Sequence, residues 1–236
     1  MIPAKTLIIE FDRRYDRFVS EYKKNLSTEH KIAALNEAQD KIFENLVSIA
    51  ETNSEVRDDL RIFEKKDISL DKVDTKNGYS IFEIPKELYK RLRIKSTIKN
   101  KECGIKENIP VIWFQTDDLD QSLKDEYWSP SFEWENVIGD EGDKGYYIYT
   151  NNKFEVDELI IDYYRRPKSI HCASMHKQGR YIYTDGKEIN FDSDCEFSNT
   201  FKWHNIIDMA VLYARSDIGD ARDFQLQKNK IEIKER

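Results

Sequence analysis

The sequence predicts an α+β fold: an N-terminal helical pair with a long helix, a central antiparallel β-rich region, and a C-terminal helix with an extended tail. Three observations carry this. Apolar residues recur at helical spacing near both ends of the chain. Between the ends they alternate in short runs bounded by Asn, Asp, Gly and Pro. The strands also come as one run, without the helix after each strand that βαβ units require. The expected divisions are a helical region at 1–64, a β-rich region at 65–199 with an aromatic loop at 113–134, and a C-terminal helix and tail at 200–236, all within one domain.

Residues 5–24 carry the first helical pattern, with Leu7, Ile8, Phe11, Tyr15, Phe18, Val19 and Tyr22 at helical spacing. After a short joint at 23–26, the longest uninterrupted pattern runs over 27–51. There Ile32, Leu35, Ile42, Leu46 and Ile49 recur three or four residues apart, or at their sum, and so share one face. Ser27 and Thr28 precede that face and can accept hydrogen bonds from the free N–H groups of the first turn. Glu29 comes too early to complete a capping box. The opposite face carries Lys31, Glu37, Asp40, Lys41 and Glu44. Such a helix would run about 36 Å at 1.5 Å per residue, a natural length for a strut. Two helices so closely linked should lie as an antiparallel or angled pair. One or two further turns are expected at 57–64.

Residues 65–78 are polar and close on the turn signal Asn77-Gly78. Residues 79–84 alternate as a strand that Pro85 stops. A short helical turn is expected at 87–92, and strands at 93–99 and 111–115. Residues 117–125 read as a polar helix capped by Asp117 or Asp118. The segment GDEGDKG at 139–145 reads as a flexible acidic turn. The clearest strands are 146–150 and 156–164, joined by 151–153 and ended by Pro167. Asp185-Gly186 joins 180–184 and 187–191 as a hairpin. Helical spacing returns at 203–218 with Ile206, Ile207, Ala210, Tyr213 and Ala214, and Gly219 follows as a stop. A last short helix at 221–227 leads into a charged tail.

Composition bounds the function. The chain has 236 residues, 35% of them charged and 39% hydrophobic, which suits a folded core under a strongly polar surface. Its 13 Tyr, 12 Phe and 4 Trp favour a sheet or aromatic-rich subunit contacts. A net charge of −7 argues against gripping nucleic acid over the whole surface, and leaves a local basic patch open. No apolar run approaches the roughly 20 residues of a membrane span, so no membrane partner is expected. The first apolar segment is too short for a secretory signal. Cys103, Cys172 and Cys195 are too few and too unevenly placed for a disulfide framework, which points to a reducing compartment.

Candidate chemistry is sparse. His171, Cys172, His176 and Cys195 could build a zinc site, but they lack CxxC or HxxxH spacing. Asp140, Glu141 and Asp143 fail the calcium-loop pattern. No phosphate loop, dinucleotide fingerprint, nucleophile elbow or HExxH is present. No cofactor is therefore expected. The basic run KRLRIKSTIKNK at 90–101 alternates Arg91, Arg93 and Lys95 with Leu92 and Ile94. On a strand this would turn the charges to one face, either as a solvated surface or as a contact for phosphates or an acidic partner. Tyr127, Trp128, Phe132 and Trp134 crowd around Pro130 without a regular period. They read either as a covered loop or as an exposed docking arm. In the tail, Lys228, Lys230, Ile231 and Ile233 are further interface candidates.

The long helical stretch IAALNEAQDKIFENLV resembles the opening helix of head-to-tail adaptor (neck ring) proteins of tailed bacteriophages, whose early helix has an LNxAQ-type core. Further stretches fit: DDLRIF at 58–63 with a strand ending in IPKELY at 84–89, DELIIDYYRRPKSI at 157–170, and HNIIDMAVLYARSDIGDARDFQLQKNKI at 204–231. The YYRRPK strand end, the closing helix and WFQTDDLDQSLKDEYWSPSFEW at 113–134 are similar to ring proteins of crAss-like phages in particular. The resemblance spans about 26–231 and consists of packing patterns, not catalytic signatures.

The resemblance implies a non-enzymatic virion protein of the neck, made in the host bacterial cytoplasm. Its copies would form a closed, dodecameric ring touching the portal protein and other neck or tail rings. Genomic DNA would pass through the lumen without sequence-specific binding, and a net acidic chain suits such sliding. Two other readings stay open: a small metal-dependent hydrolase using His171, His176 and Cys195, and a DNA-binding protein using the 90–101 strand.

Overall fold

The computed structural model describes residues 1–18, 26–100, 103–114, 116–176, 178–183, 185–197 and 200–216. The predicted α+β class holds: helices lie at both ends of the chain and one large sheet lies between them. The chain forms two compact units. One is Met1–Ile62 with the chain from Pro167 onward; the other is Phe63–Arg166.

In the first unit, α1 (Ala4–Phe18) starts after Pro3, and the Asp194 carboxylate accepts the Ala4 N–H at 3.1 Å. This satisfies one of the donors that a helix leaves free in its first turn. Leu7, Ile8 and Phe11 are buried. Helix α2 (Thr28–Ile49) begins at the expected cap, with the Ser27 side chain accepting the His30 N–H. Ile32, Leu35 and Ile42 are buried, while Leu46 and Ile49 are half-buried. Burial also takes in Asn36, Gln39, Phe43 and Val47, so α2 is enclosed over more than the single predicted stripe. α3 (Ser54–Asp59) follows, capped by Asn53, and a 3-10 turn at Leu60–Phe63 leads to the second unit.

The second unit contains β1 (Glu64–Ser69), β2 (Lys72–Lys76), β3 (Tyr79–Phe82), β4 (Leu88–Asn100), β5 (Gly104–Trp113), α4 (Thr116–Lys124), β6 (Val137–Gly142), β7 (Gly145–Tyr149) and β8 (Glu155–Arg165). These form an eight-stranded sheet in the order β1-β8-β4-β5-β6-β7-β3-β2. Every neighbouring pair is antiparallel except β5–β6. Parallel neighbours cannot be joined by a tight turn, so 114–136, carrying α4 and the aromatic loop, serves as the crossover.

β1 and β2 stand at opposite ends of the strand order, yet only Leu70 and Asp71 separate them. They act as one bent strand whose first half pairs with β8 and second half with β3, which closes the sheet into a barrel. At the bend the Leu70 N–H donates to the Leu159 carbonyl at 2.8 Å, and the Glu83 N–H to the Asp71 carbonyl at 3.0 Å. The Lys72 ammonium donates to the Val156 carbonyl across the same seam. Register shifts at Lys65/Ile68 and Lys72/Asp74 flank the bend, as expected where a strand turns a corner. The interior is filled by one apolar cluster that includes Phe82, Ile98, Val137, Tyr146, Ile148, Leu159 and Ile161.

Four local expectations are corrected. The polar stretch 65–78 is β1 and β2; β2 is exposed throughout and β1 is half exposed without burying a side chain, so neither shows an apolar alternation. The helical turn expected at 87–92 is the start of β4, because pairing with β8 overrides the helix-like spacing of Leu88 and Leu92. The acidic turn at 139–145 is mostly strand: β6 runs to Gly142, and only Asp143 and Lys144 form the turn into β7. Asp117 and Asp118 lie within the first turn of α4 and not at its cap.

After Pro167 the chain returns to the first unit with β9 (His171–Cys172), β10 (Tyr181–Ile182), β11 (Glu188–Ile189) and β12 (Asp192–Ser193), paired as β10–β11 and β12–β9. β10 and β11 are the predicted hairpin, with Gly186 at φ +82°. The sequence boundary at 199 differs from this division, which groups 167–197 with the helices. α5 (Thr200–Ser216) buries Ile206, Ile207, Ala210, Val211 and Ala214 and packs on both α1 and α2. The short helix expected at 221–227 lies outside the described residues.

Candidate functional site

The aromatic loop of the barrel unit splits between the two readings that the sequence left open. Phe132 is 6% exposed, whereas Tyr127, Trp128 and Trp134 are 84%, 52% and 80% exposed. Phe132 therefore belongs to the barrel core, 6.5 Å from the Phe154 ring, and is corrected from docking residue to anchor. The loop is ordered by its own polar groups. The Asp125 carboxylate accepts the N–H groups of Tyr127 and Trp128 at 2.8 and 3.1 Å. Ser131 and Asn136 exchange two backbone hydrogen bonds, and Glu135 takes φ +57° to turn the chain between them. The Asn136 amide donates to the Tyr127 carbonyl at 2.9 Å, which ties the two halves of the loop together. Lys106 reaches up from β5 to the Phe132 carbonyl at 3.0 Å and the Glu135 carboxylate at 3.2 Å. Trp128 meets Phe114 edge-on at 6.1 Å. The outcome is a fixed ledge with Tyr127 and Trp134 turned to solvent.

The charged face of α2 lies in the other unit. Glu37, Asp40 and Lys41 are exposed, and Glu44 is half-exposed. Lys41 and Glu44 pair at 3.5 Å, and Lys31 pairs with Asp12 of α1 at 2.7 Å. Burial, followed by the charges of Glu37 and Glu44, raises the Tyr213 hydroxyl pKa above its ordinary value. One edge of this face thus lies close to α5.

The basic strand does not present one charged face. Arg91 pairs with Tyr163 and Arg93 with Asp162, consecutive residues of β8, because Leu92 is bulged out of the ladder. Consecutive strand residues point to opposite faces. Arg91 accordingly lies on the core side, its guanidinium 3.8 Å from the Trp113 ring centre. Arg93 lies on the outer side, bound to Asp162 at 2.7 Å through Nε. Lys95 donates to the Asn108 side chain at 3.2 Å. The three do not form one cluster.

Among the described residues no group of three or more His, Cys, Asp or Glu side chains is gathered as a metal would need. The His171 ring is 2.8 Å from the Tyr181 hydroxyl, and burial lowers its pKa below the ordinary histidine value. His176 pairs with Glu29 at 2.6 Å. Burial pushes the Cys195 thiol up to about 11. No helix among the described residues is long and apolar enough to cross a membrane. Lys228, Lys230, Ile231 and Ile233 lie outside the described residues.

Two features escaped the sequence reading. Asn36 and Gln39, the polar residues of LNEAQ, hold the backbone of RRPKSI. The Asn36 side chain accepts the Ile170 N–H at 2.6 Å and donates to the Ile170 carbonyl at 3.0 Å, while Gln39 donates to the Lys168 carbonyl at 3.0 Å. An Asn and a Gln on the apolar side of a helix were the available signal. The second feature is a cavity of about 890 Å³ at one end of the barrel, lined by Lys72, Lys76, Lys99 and Lys153. These lysines come from three separate stretches of the chain and form no basic run together. The sequence matches no family model and no curated protein.

Proposed function

We propose that this chain is a structural, non-enzymatic component of a phage neck, whose copies assemble as a closed dodecameric ring between the portal protein and the tail. DNA passes through the lumen without being read. The observation that carries this reading is the aromatic ledge: Tyr127, Trp128 and Trp134 are held outward by a hydrogen-bonded loop that Phe132 anchors. Large exposed aromatic side chains on a loop whose backbone is already ordered suit a contact with another protein chain, since little backbone freedom remains to be lost. The resemblance supplies which assembly. Its LNEAQ and RRPKSI stretches are bonded to one another, which fits their role as packing signatures of a shared fold.

Electron microscopy and mass photometry of the purified chain, alone and mixed with its portal, test the proposal. Rings or portal-bound copies are expected. Trp134→Ala with Tyr127→Ala should weaken that association by about 2 kcal/mol or more, while the melting temperature stays within a few degrees. A compact monomer under both conditions overturns the reading.

A further inference from the structure

We propose that the outward face of the crossover, α4 together with the aromatic ledge, binds a segment of a partner protein rich in lysine and arginine. The inference deepens the reading of the ledge as a contact with another protein chain and rests on that reading; which assembly supplies the partner does not enter it.

The charge of the chain is unevenly spread. Residues 114–136 hold seven carboxylates and one lysine, a charge of −6 in a chain whose net charge is −7. The rest of the chain is close to neutral. Some of the seven have work in the fold. Asp117 and Asp118 stand in the first turn of α4, where free helical N–H groups favour negative charge. Asp125 holds the loop backbone, and Glu135 pairs with Lys106. Asp120, Glu126 and Glu133 have no such task. All three are exposed, and none makes an ion pair among the described residues. The lysines that reach the ledge from other strands and turns are engaged with it. Lys106 donates to the carbonyls of Phe132 and Glu133, and Lys153 to the Ser129 hydroxyl at 3.4 Å. Counting both, seven carboxylates still stand against three ammonium groups.

Carboxylates alone name no ligand; the rings set among them do. Glu126 precedes Tyr127 and Trp128, and Glu133 and Glu135 flank Trp134, so each exposed ring has a carboxylate beside it in the chain. The face of an aromatic ring attracts ammonium and guanidinium groups, tryptophan and arginine making the best pair, and a neighbouring carboxylate adds an ion pair to the same group. Single-stranded nucleic acid also stacks on exposed rings, but in grooves of positive charge. Here the sign is reversed, and phosphates are repelled. An apolar partner would strip water from Glu126 and Glu133 and offer nothing in return. Charge complementarity therefore selects a basic segment.

Calorimetric titration of the full chain at low salt tests this with three probes: a peptide of repeated Arg-Ala-Ala, its Glu-Ala-Ala counterpart and a short single-stranded oligonucleotide. The indole N–H signals of Trp128 and Trp134 locate the binding. The arginine peptide is expected to bind and to shift both signals. Asp120→Asn with Glu126→Gln and Glu133→Gln should weaken it at least tenfold without moving the thermal transition, since all three side chains are exposed. Glu55→Gln with Glu83→Gln and Asp157→Asn removes the same charge elsewhere on the surface, and should change the affinity less than threefold. Four results overturn the proposal: no binding of the arginine peptide, binding that survives in the folded ledge variant, equal weakening by the two triple variants, or tighter binding of either other probe. The neck reading fails separately. Rings that need Trp134 and Tyr127 but ignore the ledge carboxylates overturn the basic partner alone, whereas peptide binding by a chain that never assembles on its portal overturns the neck alone.

Discussion

Asn36 sits in the middle of α2, where asparagine is a poor helix former, yet its side chain is almost fully buried and exchanges two hydrogen bonds with the backbone of Ile170. A buried amide with unmet partners would cost about 1–3 kcal/mol, so the residue is tolerated because the 167–170 segment completes it. His171, close by in sequence, is buried for another reason. Its ring lies edge-on to Tyr183 at 5.0 Å and to Phe191 at 5.5 Å, and burial holds its pKa below the ordinary value while Asp185 partly opposes the shift. The unfolded chain then takes up a proton near pH 6.5 that the folded chain resists. Stability is full above that pH and falls as pH drops from about 6.5 through the folded-state value. Melting curves between pH 8 and 5 should show the gap between the native chain and His171→Gln narrowing as pH falls; a constant gap refutes this. Glu29, lowered chiefly by hydrogen bonds from Ser27 and its own backbone and further by His176, acts in a separate window below about pH 4.5. The burial of His171 was not legible in the sequence, because its aromatic neighbours come from a hairpin ten or more residues away. The Ser27 cap was legible, because capping is decided within one turn.

At the scale of elements, what the sequence revealed depended on how local each cause was. Helices α1, α2 and α5 follow from apolar spacing, and the β10–β11 hairpin from Asp185-Gly186. β2 was hidden because all five of its side chains are exposed and only its backbone pairing makes it a strand. The bulge at Leu92 was hidden too, and it separates Arg91 from Arg93. The aromatic crossover was half legible: its composition marked it, but only the position of Phe132 in the barrel says which ring faces in. Helix α2 carries the next prediction. Its buried residues pack within its own unit, while Glu37 is exposed and Glu44, half-exposed, pairs with Lys41 at i,i+3. If copies assemble as the proposed ring, reversing both, Glu37→Lys with Glu44→Lys, should leave the fold intact and weaken that association about tenfold or more, read by the concentration at which the assembly dissociates. If the rings are untouched, α2 serves only as a strut.

The whole molecule is organised as one unit interrupted by another. Glu64 pairs with Tyr164, so the chain enters and leaves the barrel unit at neighbouring positions of adjacent strands. The barrel's apolar cluster draws only on residues between Leu70 and Tyr163. A core complete within a segment, with its ends side by side, is the condition for an independently folding domain. The excised segment 63–166 should therefore fold alone, with dispersed amide NMR signals and a cooperative melt; a disordered fragment would show that the barrel needs the rest of the chain. The expected divisions lie at 64 and 199, whereas the two compact units part at 62 and 166; turn chemistry marks the 180–191 hairpin without saying which core it joins.

The two-residue bend at Leu70 and Asp71 also sets an order in time. The first half of the bent strand must wait for β8, about a hundred residues further along, before it has a partner, whereas the second half finds β3 almost at once. Closure is thus a contact of high sequence separation, the kind whose loop entropy must be spent before any pairing rewards it. During synthesis the β2–β3 hairpin can form early, while β1 stays an unpaired edge until residues 155–165 have emerged. The exposed charges of β1 at Lys66 and Asp67 suit that interval, because charged side chains on an open edge discourage pairing with another chain.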